Sequence, residues 1–279
     1  MRRYLFISIS LVLVFLCLLI ALSAPHTTPL PENHRQDVIR VCAANLNYEN
    51  RHPGEATSAL VKTNPDFLVL LEWTGKNARP SVFEKNGFTM VLNAPRNGTH
   101  GLAILCKKKI DVKAAVIQSP ISGPCRLPFG VARLNFNGKA FTIIAVHAPP
   151  PVSSCKDGNE KTLGAIGSWI KNGKLKFNLG PGVKGDDVIL LGDFNATAFS
   201  KGWSSFMKSG VRDAMRSGWR LKPTWAPFKS APSIIRIDYV FVGNGFVPIA
   251  AYTIGIKDSD HRAVISDIQT RGVAGGDPE

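Results

Sequence analysis

Short apolar runs recur along the chain from Asp37 onward. Ten of them read as strands: VIRVCAANL (38–46), DFLVLLE (66–72), FTMVLN (88–93), GLAILCK (101–107), VKAAVI (112–117), GVARLNF (130–136), AFTIIAVH (140–147), DVILLGD (187–193), IRIDYVFV (235–242) and HRAVISDI (261–268). Several are apolar at consecutive positions rather than alternate ones, the pattern of strands buried on both faces. Helical spacing is confined to GEATSALVKTN (54–64), NEKTLGAIGSWIKNG (159–173) and KGWSSFMKSG (201–210). In the second stretch Leu163, Ile166 and Ile170 share one face, and Gly173 stands where a helix C-cap belongs. Many strands with few helices between them predict stacked sheets covered by helices.

The first residues follow a different pattern. Arg2-Arg3 precede an unbroken apolar stretch, Tyr4 to Leu22, and then Ser23-Ala24-Pro25. This order reads as an export signal; its nineteen apolar residues are also long enough for a retained membrane anchor. With the basic end held inside, either reading places the remainder outside the cytoplasm, periplasmic, secreted or tethered to a membrane. The proline-rich, polar residues 25–36, PHTTPLPENHRQ, read as a linker. Residues 271–279 read as a frayed tail.

Charge narrows the partners. Against 20 acids stand 34 Lys and Arg, a net +14, and removing Arg2 and Arg3 leaves +12 on the exported part. Such an excess favours anionic partners, nucleic acid or anionic lipid among them, while saying nothing about fold. Outside the apolar segment lie four cysteines, Cys42, Cys106, Cys125 and Cys155, which in an exported domain permit two disulfides. Spacing allows all three pairings. Cys125 with Cys155 is preferred, because both flank loop-like sequence while the other two sit in strand-like runs. No Cys/His cluster suggests zinc.

The chemistry collects at the ends of the apolar runs. Asn45 ends the first, Glu72 the second and His147 the AFTIIAV run, while Asp193 and Asn195 follow DVILL in GDFN. Asp238 is embedded in IIRIDYVFV, and Asp260-His261 opens the last run. Singly, Asn45, Asp193 and Asn195 are ordinary Asx-turn residues, Glu72 marks a strand reaching solvent, and His147 is a hydrogen-bonded histidine. Asp238 resists that treatment, since a carboxylate buried among apolar residues needs a partner, and a histidine is the natural one.

Together, and in this order, Asn, Glu, His, Gly-Asp-x-Asn, Ile-Asp-Tyr and Ser-Asp-His resemble the endonuclease/exonuclease/phosphatase superfamily. LLGDFNA (190–196), IDYVFV (237–242) and SDHRAV (259–264) carry the resemblance, which spans residues 37–270. It implies an α/β four-layer sandwich, two mainly antiparallel sheets face to face with helices on the outer faces. It implies a monomeric, divalent-metal-dependent phosphoesterase attacking phosphorus in line with an activated water. Glu72 would be the main metal ligand, with Asn45 and Asp260 in or near its shell; all-oxygen donors favour Mg²⁺ or Mn²⁺, and admit Ca²⁺. Asp193 would activate the water and Asn195 position it. His261, held by Asp238, would bind the phosphate as an imidazolium, and His147 would protonate the leaving oxygen or bind the phosphate. Two departures stand out: Leu71 replaces the glutamine common before the metal-binding Glu, and His147 replaces the tyrosine of abasic-site endonucleases.

Residues 211–236 interleave Arg212, Arg216, Arg220, Lys222, Lys229 and Arg236 with Trp219, Trp225 and Phe228, a mixture suited to phosphate contact and base stacking. Arg236, Trp225, Arg220 and Lys222 are the candidate substrate contacts. DNA or RNA is the expected substrate. A lipid or inositol phosphate hydrolase, and a non-catalytic binding protein that keeps the fold, are the alternatives.

Overall fold

The computed structural model describes residues 38–271 other than 108–109, 118, 120, 124, 137, 173–184 and 216–221, together with Val12, Val14 and Phe15. The predicted signal or anchor (apart from those three residues), the linker, the tail beyond Arg271, Gly173, Arg216, Trp219 and Arg220 lie outside the described residues. Among the described residues no helix is long and apolar enough to cross a membrane.

Twelve strands form two mixed six-stranded sheets. In chain order they are β1 (Val38–Asn45), β2 (Phe67–Leu71), β3 (Phe88–Ala94), β4 (Leu102–Lys107), β5 (Asp111–Ile117), β6 (Phe129–Phe136), β7 (Lys139–His147), β8 (Val188–Asp193), β9 (Arg212–Asp213), β10 (Asp238–Val242), β11 (Phe246–Gly255) and β12 (Arg262–Thr270). One sheet runs β11-β12-β1-β2-β4-β3 and the other β5-β6-β7-β8-β10-β9. Pairing is antiparallel except between β1 and β2 and between β7 and β8. Helices α1 (Pro53–Lys62), α2 (Pro80–Lys85), α3 (Lys156–Asn172) and α4 (Trp203–Met207) connect them.

Burial on both strand faces explains the continuous apolar runs. In β8, Ile189 and Leu191 join the core between the sheets, where Val41, Val69 and Ile143 also lie. Val188 and Leu190 point the other way, into a core closed by Leu163, Ile166 and Ile170 of α3 and Phe206 of α4. On the outer face of the other sheet, Ala56 and Leu60 of α1 and Phe83 of α2 cover Leu68 and Leu70. The order is therefore helices, sheet, sheet, helices.

Several boundaries differ from the sequence expectation. β10 begins at Asp238 rather than Ile235, which puts Asp238 at a strand's first residue instead of inside it. α3 starts three residues before the predicted stretch, and α4 keeps only the middle of its own. β11 has no counterpart in the reading: Pro248 and a register shift between Pro248 and Ala250 break its alternation, which an edge strand tolerates. Cys125 and Cys155 form a disulfide. The second permitted bridge is not made: Cys42 faces the α1–α2 layer and Cys106 the core between the sheets, so one sheet separates them.

Candidate active site

Topology brings one end of six strands together. The parallel pairs β1–β2 and β7–β8 finish at the same edge where β10 and β12, antiparallel to their neighbours, begin. In one sheet His147, Asp193 and Asp238 lie in register on β7, β8 and β10. In the other, Asn45 pairs with Leu71, so Glu72 emerges beside it. The amide of Asn45 joins the halves, donating to Glu72 Oε1 at 3.1 Å and to Asp193 Oδ2 at 3.2 Å.

The turn after β8 is an Asx turn with a constraint upstream. Gly192 has φ 138°, and a Cβ there would sit 2.1 Å from the Val146 carbonyl oxygen, so only glycine lets β7 and β8 close at this point. Asp193 Oδ1 accepts the Asn195 backbone N–H at 2.8 Å, and the Asn195 amide donates to Asp193 Oδ2 at 3.2 Å and Ala148 O at 2.9 Å. Asn195 (φ 46°) and Glu72 (φ 54°) both take the left-handed conformation that side chains rarely adopt. Buried asparagines hold each in place. Asn159 on α3 donates to the carbonyls of Phe194 and Asn195, and Asn77 donates to the Glu72 carbonyl at 2.9 Å.

Glu72 Oε2 accepts the Tyr48 backbone N–H at 2.8 Å. Asp260 accepts from Asn47 Nδ2 at 2.8 Å and from the Trp225 indole at 3.1 Å. His261 Nδ1 lies 2.9 and 3.2 Å from the two Asp238 oxygens, and its Nε2 is 3.8 Å from Asp193 Oδ2. His147 Nε2 lies 3.7 Å from the same Asp193 oxygen.

Burial sets the charge states. It pushes the Asp193 carboxyl well above the usual carboxylate range, and Asp238 pushes the same way against His261 and the Asn195 N–H. For His261 burial opposes charge, yet Asp238 and Asp193 outweigh it and raise the ring, making it an imidazolium at neutral pH. Burial takes His147 down to about 3, aided by the nearby charge of His261, so His147 is neutral. Two buried histidines therefore hold opposite charge states, a pattern typical of sites that divide labour between titratable groups.

Two groups could hold a cation. Asp193, Asp238 and His261 offer ligand atoms within 4.8 Å of one another. There, however, His261 Nδ1 is already hydrogen-bonded to Asp238, and the Asp193 oxygens accept the N–H groups above. Glu72 fits better. It is buried, burial raises its pKa, and among the described residues no Lys, Arg or His stands within ion-pair distance of it. A buried carboxylate lacking a cation is costly, and with the Asp260 carboxylate nearby it suits a hard divalent ion. The Asn45 oxygen, which accepts the Asn47 N–H at 3.0 Å, would join them by an amide flip.

All eight predicted catalytic and metal-side residues meet at this edge; two of the predicted substrate contacts have their polar groups already engaged. Arg236 forms a two-pronged ion pair with Asp213, at 2.8 and 2.6 Å, and stacks on Tyr239, so its charge is already matched. The Trp225 indole supports Asp260. Lys222 is half-buried at φ 40°. Sequence reading missed Asn47, Asn77 and Asn159, whose main partners are backbone carbonyls and one carboxylate remote in sequence.

Residues 42–261 match the sequence model of the Endonuclease/Exonuclease/phosphatase family. No curated protein sequence gives a significant match. Among solved structures, D. rerio TDP2 complexed with single-strand DNA product superposes with a TM-score of 0.63 at 17% identity, covering 84% of this chain and 99% of that one. The human Nocturnin catalytic domain with bound sulfate gives 0.62 at 16% identity, covering 84% and 95%. A Bacteroides thetaiotaomicron mannosyl-6-phosphatase gives 0.62 at 17%, covering 82% and 99%. At such identities the likeness is one of fold.

Proposed function

Because the chain belongs to the endonuclease/exonuclease/phosphatase family, we propose that it is an exported, divalent-metal-dependent phosphodiesterase whose substrate is nucleic acid. The observation that carries this reading is the buried Asp193 carboxylate, set between the Asp238–His261 pair and, across the Asn45 amide, Glu72. Its raised pKa brings it towards the working pH, where a general base is most effective. Asp193 takes the proton from the attacking water, and Asn195, fixed at its left-handed turn, orients that water. His261, charged and anchored by Asp238, donates from Nε2 to the phosphoryl oxygens, where negative charge grows in the transition state. His147, neutral, hydrogen-bonds the phosphate or leaving oxygen rather than delivering a proton to it. Glu72, Asn45 and Asp260 would hold Mg²⁺ or Mn²⁺, which when bound polarises the phosphoryl oxygen.

Net charge and the single-strand DNA product bound by the TDP2 relative support a nucleic-acid substrate. A second reading, a lipid phosphodiester, draws on Phe199 and Phe228, 99% and 71% exposed on loops leaving the same edge. Export rests on the Tyr4–Leu22 stretch. The test is hydrolysis of plasmid DNA, RNA, sphingomyelin and inositol phosphates by the purified protein with Mg²⁺ or Mn²⁺. DNA or RNA cleavage is expected; lipid cleavage alone would transfer the proposal to the second reading, and no cleavage would end both.

A further inference from the structure

A cleft of about 850 Å³ opens beside the site, lined by Tyr48, Arg51, Thr74, Lys76, Asn97 and Lys229 among others. It adjoins Glu72 directly, since the Tyr48 whose N–H binds the Glu72 carboxylate contributes to its wall. No group in the proposed chemistry uses it. Its walls combine an exposed aromatic ring, Tyr48, with three cationic side chains, Arg51, Lys76 and Lys229. Glu49 is the acid in the wall. Asp258 also stands within reach, 3.4 Å from Arg51 Nε and 3.6 Å from Lys229 Nζ. Three cations against these two acids leave the cleft positive, and Asp258 holds two of the cations in place. Asp258 has φ 58°, another left-handed non-glycine residue, here aiming a carboxylate at the Arg51 backbone N–H at 2.6 Å.

From this we infer that the cleft is a subsite for the nucleotide next to the scissile phosphodiester: its phosphate is met by Arg51 and Lys76, and its base lies against Tyr48. The chemistry argues for a nucleotide over a single zwitterionic headgroup. Cations alone would recognise any phosphate, whereas an aromatic face beside them fits a base carried by the same ligand. The volume suits one such unit, within the usual range of ligand clefts. The inference rests on the proposed phosphodiesterase activity, and the experiment separates the two.

Hydrolysis of bis(p-nitrophenyl) phosphate, which carries one phosphate and no neighbouring nucleotide, is compared with that of a short single-stranded oligonucleotide. The proteins are the full chain and its Arg51→Ala/Lys76→Ala and Tyr48→Ala variants. For the oligonucleotide the double variant should raise KM about tenfold or more and flatten the salt dependence by about 0.7 for each lost phosphate contact. Tyr48→Ala should raise KM by about fivefold or more, the loss of one stacked base. The ratio of oligonucleotide to small-diester efficiency falls accordingly. Equal losses on both substrates, or none on the oligonucleotide, would overturn the subsite. So would variants that lose hydrolysis of sphingomyelin vesicles while retaining that of the oligonucleotide. Failure of the parent protein to cleave either diester would instead remove the phosphodiesterase reading on which the subsite depends.

Discussion

The Asp238–His261 pair offers a quantitative test. His261 Nδ1 sits 2.9 and 3.2 Å from the two Asp238 oxygens, with both residues buried. At an effective dielectric of about 20, opposite charges at that separation attract by ~6 kcal/mol. Removing one partner of a buried pair costs ~3–5 kcal/mol, because the survivor is left uncompensated. Asp193 at 3.8 Å from Nε2 offers the ring partial compensation, which favours the lower end. Asp238→Asn and His261→Gln thus each lose stability on that scale, and each should also lower kcat/KM by about 10²–10³, the range for losing one preorganised donor to the developing charge. Because the two act as one unit, the double variant should lose about the same as either single, giving a coupling energy of ~3 kcal/mol. The assay is steady-state hydrolysis of bis(p-nitrophenyl) phosphate across the four proteins, with NMR titration of the His261 ring. In Asp238→Asn the ring should titrate well below its value of about 10 in the parent. Losses that add in the double variant, or a ring titration that does not move, would refute the pairing as the source of the imidazolium.

Three further outcomes are expected. Glu72→Gln should weaken Mn²⁺ binding, measured calorimetrically, by more than the ~10–100-fold typical of a residue outside the ligand shell. In the same variant the metal-free protein should be no less stable, since burial opposes the Glu72 charge by more than the Tyr48 N–H, the Asn45 amide and the nearby His261 charge support it. Gly192→Ala should destabilise by at least ~1–3 kcal/mol, from strain at φ 138° and collision with the Val146 carbonyl. Gly164→Ala on α3, where a Cβ meets nothing within 4 Å, should instead stabilise by ~0.5–1 kcal/mol; thermal melts of both variants check this pair. His147, lowered from 6.5 to about 3, supports the fold in its neutral form above 6.5, and that support is lost as pH falls towards 3. Between pH 6.5 and 4.5 this amounts to roughly 2 kcal/mol, which His147→Gln should abolish in Tm measured against pH.

Strands buried on both faces leave continuous apolar runs, so most of the two sheets and the edge bearing the site could be read from the chain. Asp238 was legible for a related reason, an unexplained carboxylate among apolar residues. What could not be read depends on neighbours brought together only by folding. Arg236 resembles a free phosphate contact until β9 carries Asp213 to it. Asn77 and Asn159 have no distinguishing sequence pattern, since they act on carbonyls of turns whose conformation the chain does not advertise. Cys42 and Cys106 occupy strand-like runs that alternate to opposite sheet faces, and no spacing rule shows which face each takes. At the Leu71 departure the side chain is wholly buried between the sheets and packs near Gly192.

The central claim is that Asp193 activates water for metal-dependent phosphodiester hydrolysis. The most direct measurement is the rate of bis(p-nitrophenyl) phosphate cleavage by the parent protein and by Asp193→Asn, each with Mg²⁺, with EDTA, and with Mg²⁺ restored. The parent should be active, silent in EDTA and recovered on restoration. The variant, with an unchanged circular dichroism spectrum, should be slower by about 10²–10⁴, the range of a lost general base. Cleavage that survives EDTA, or a correctly folded Asp193→Asn that keeps the parent's rate, would contradict it.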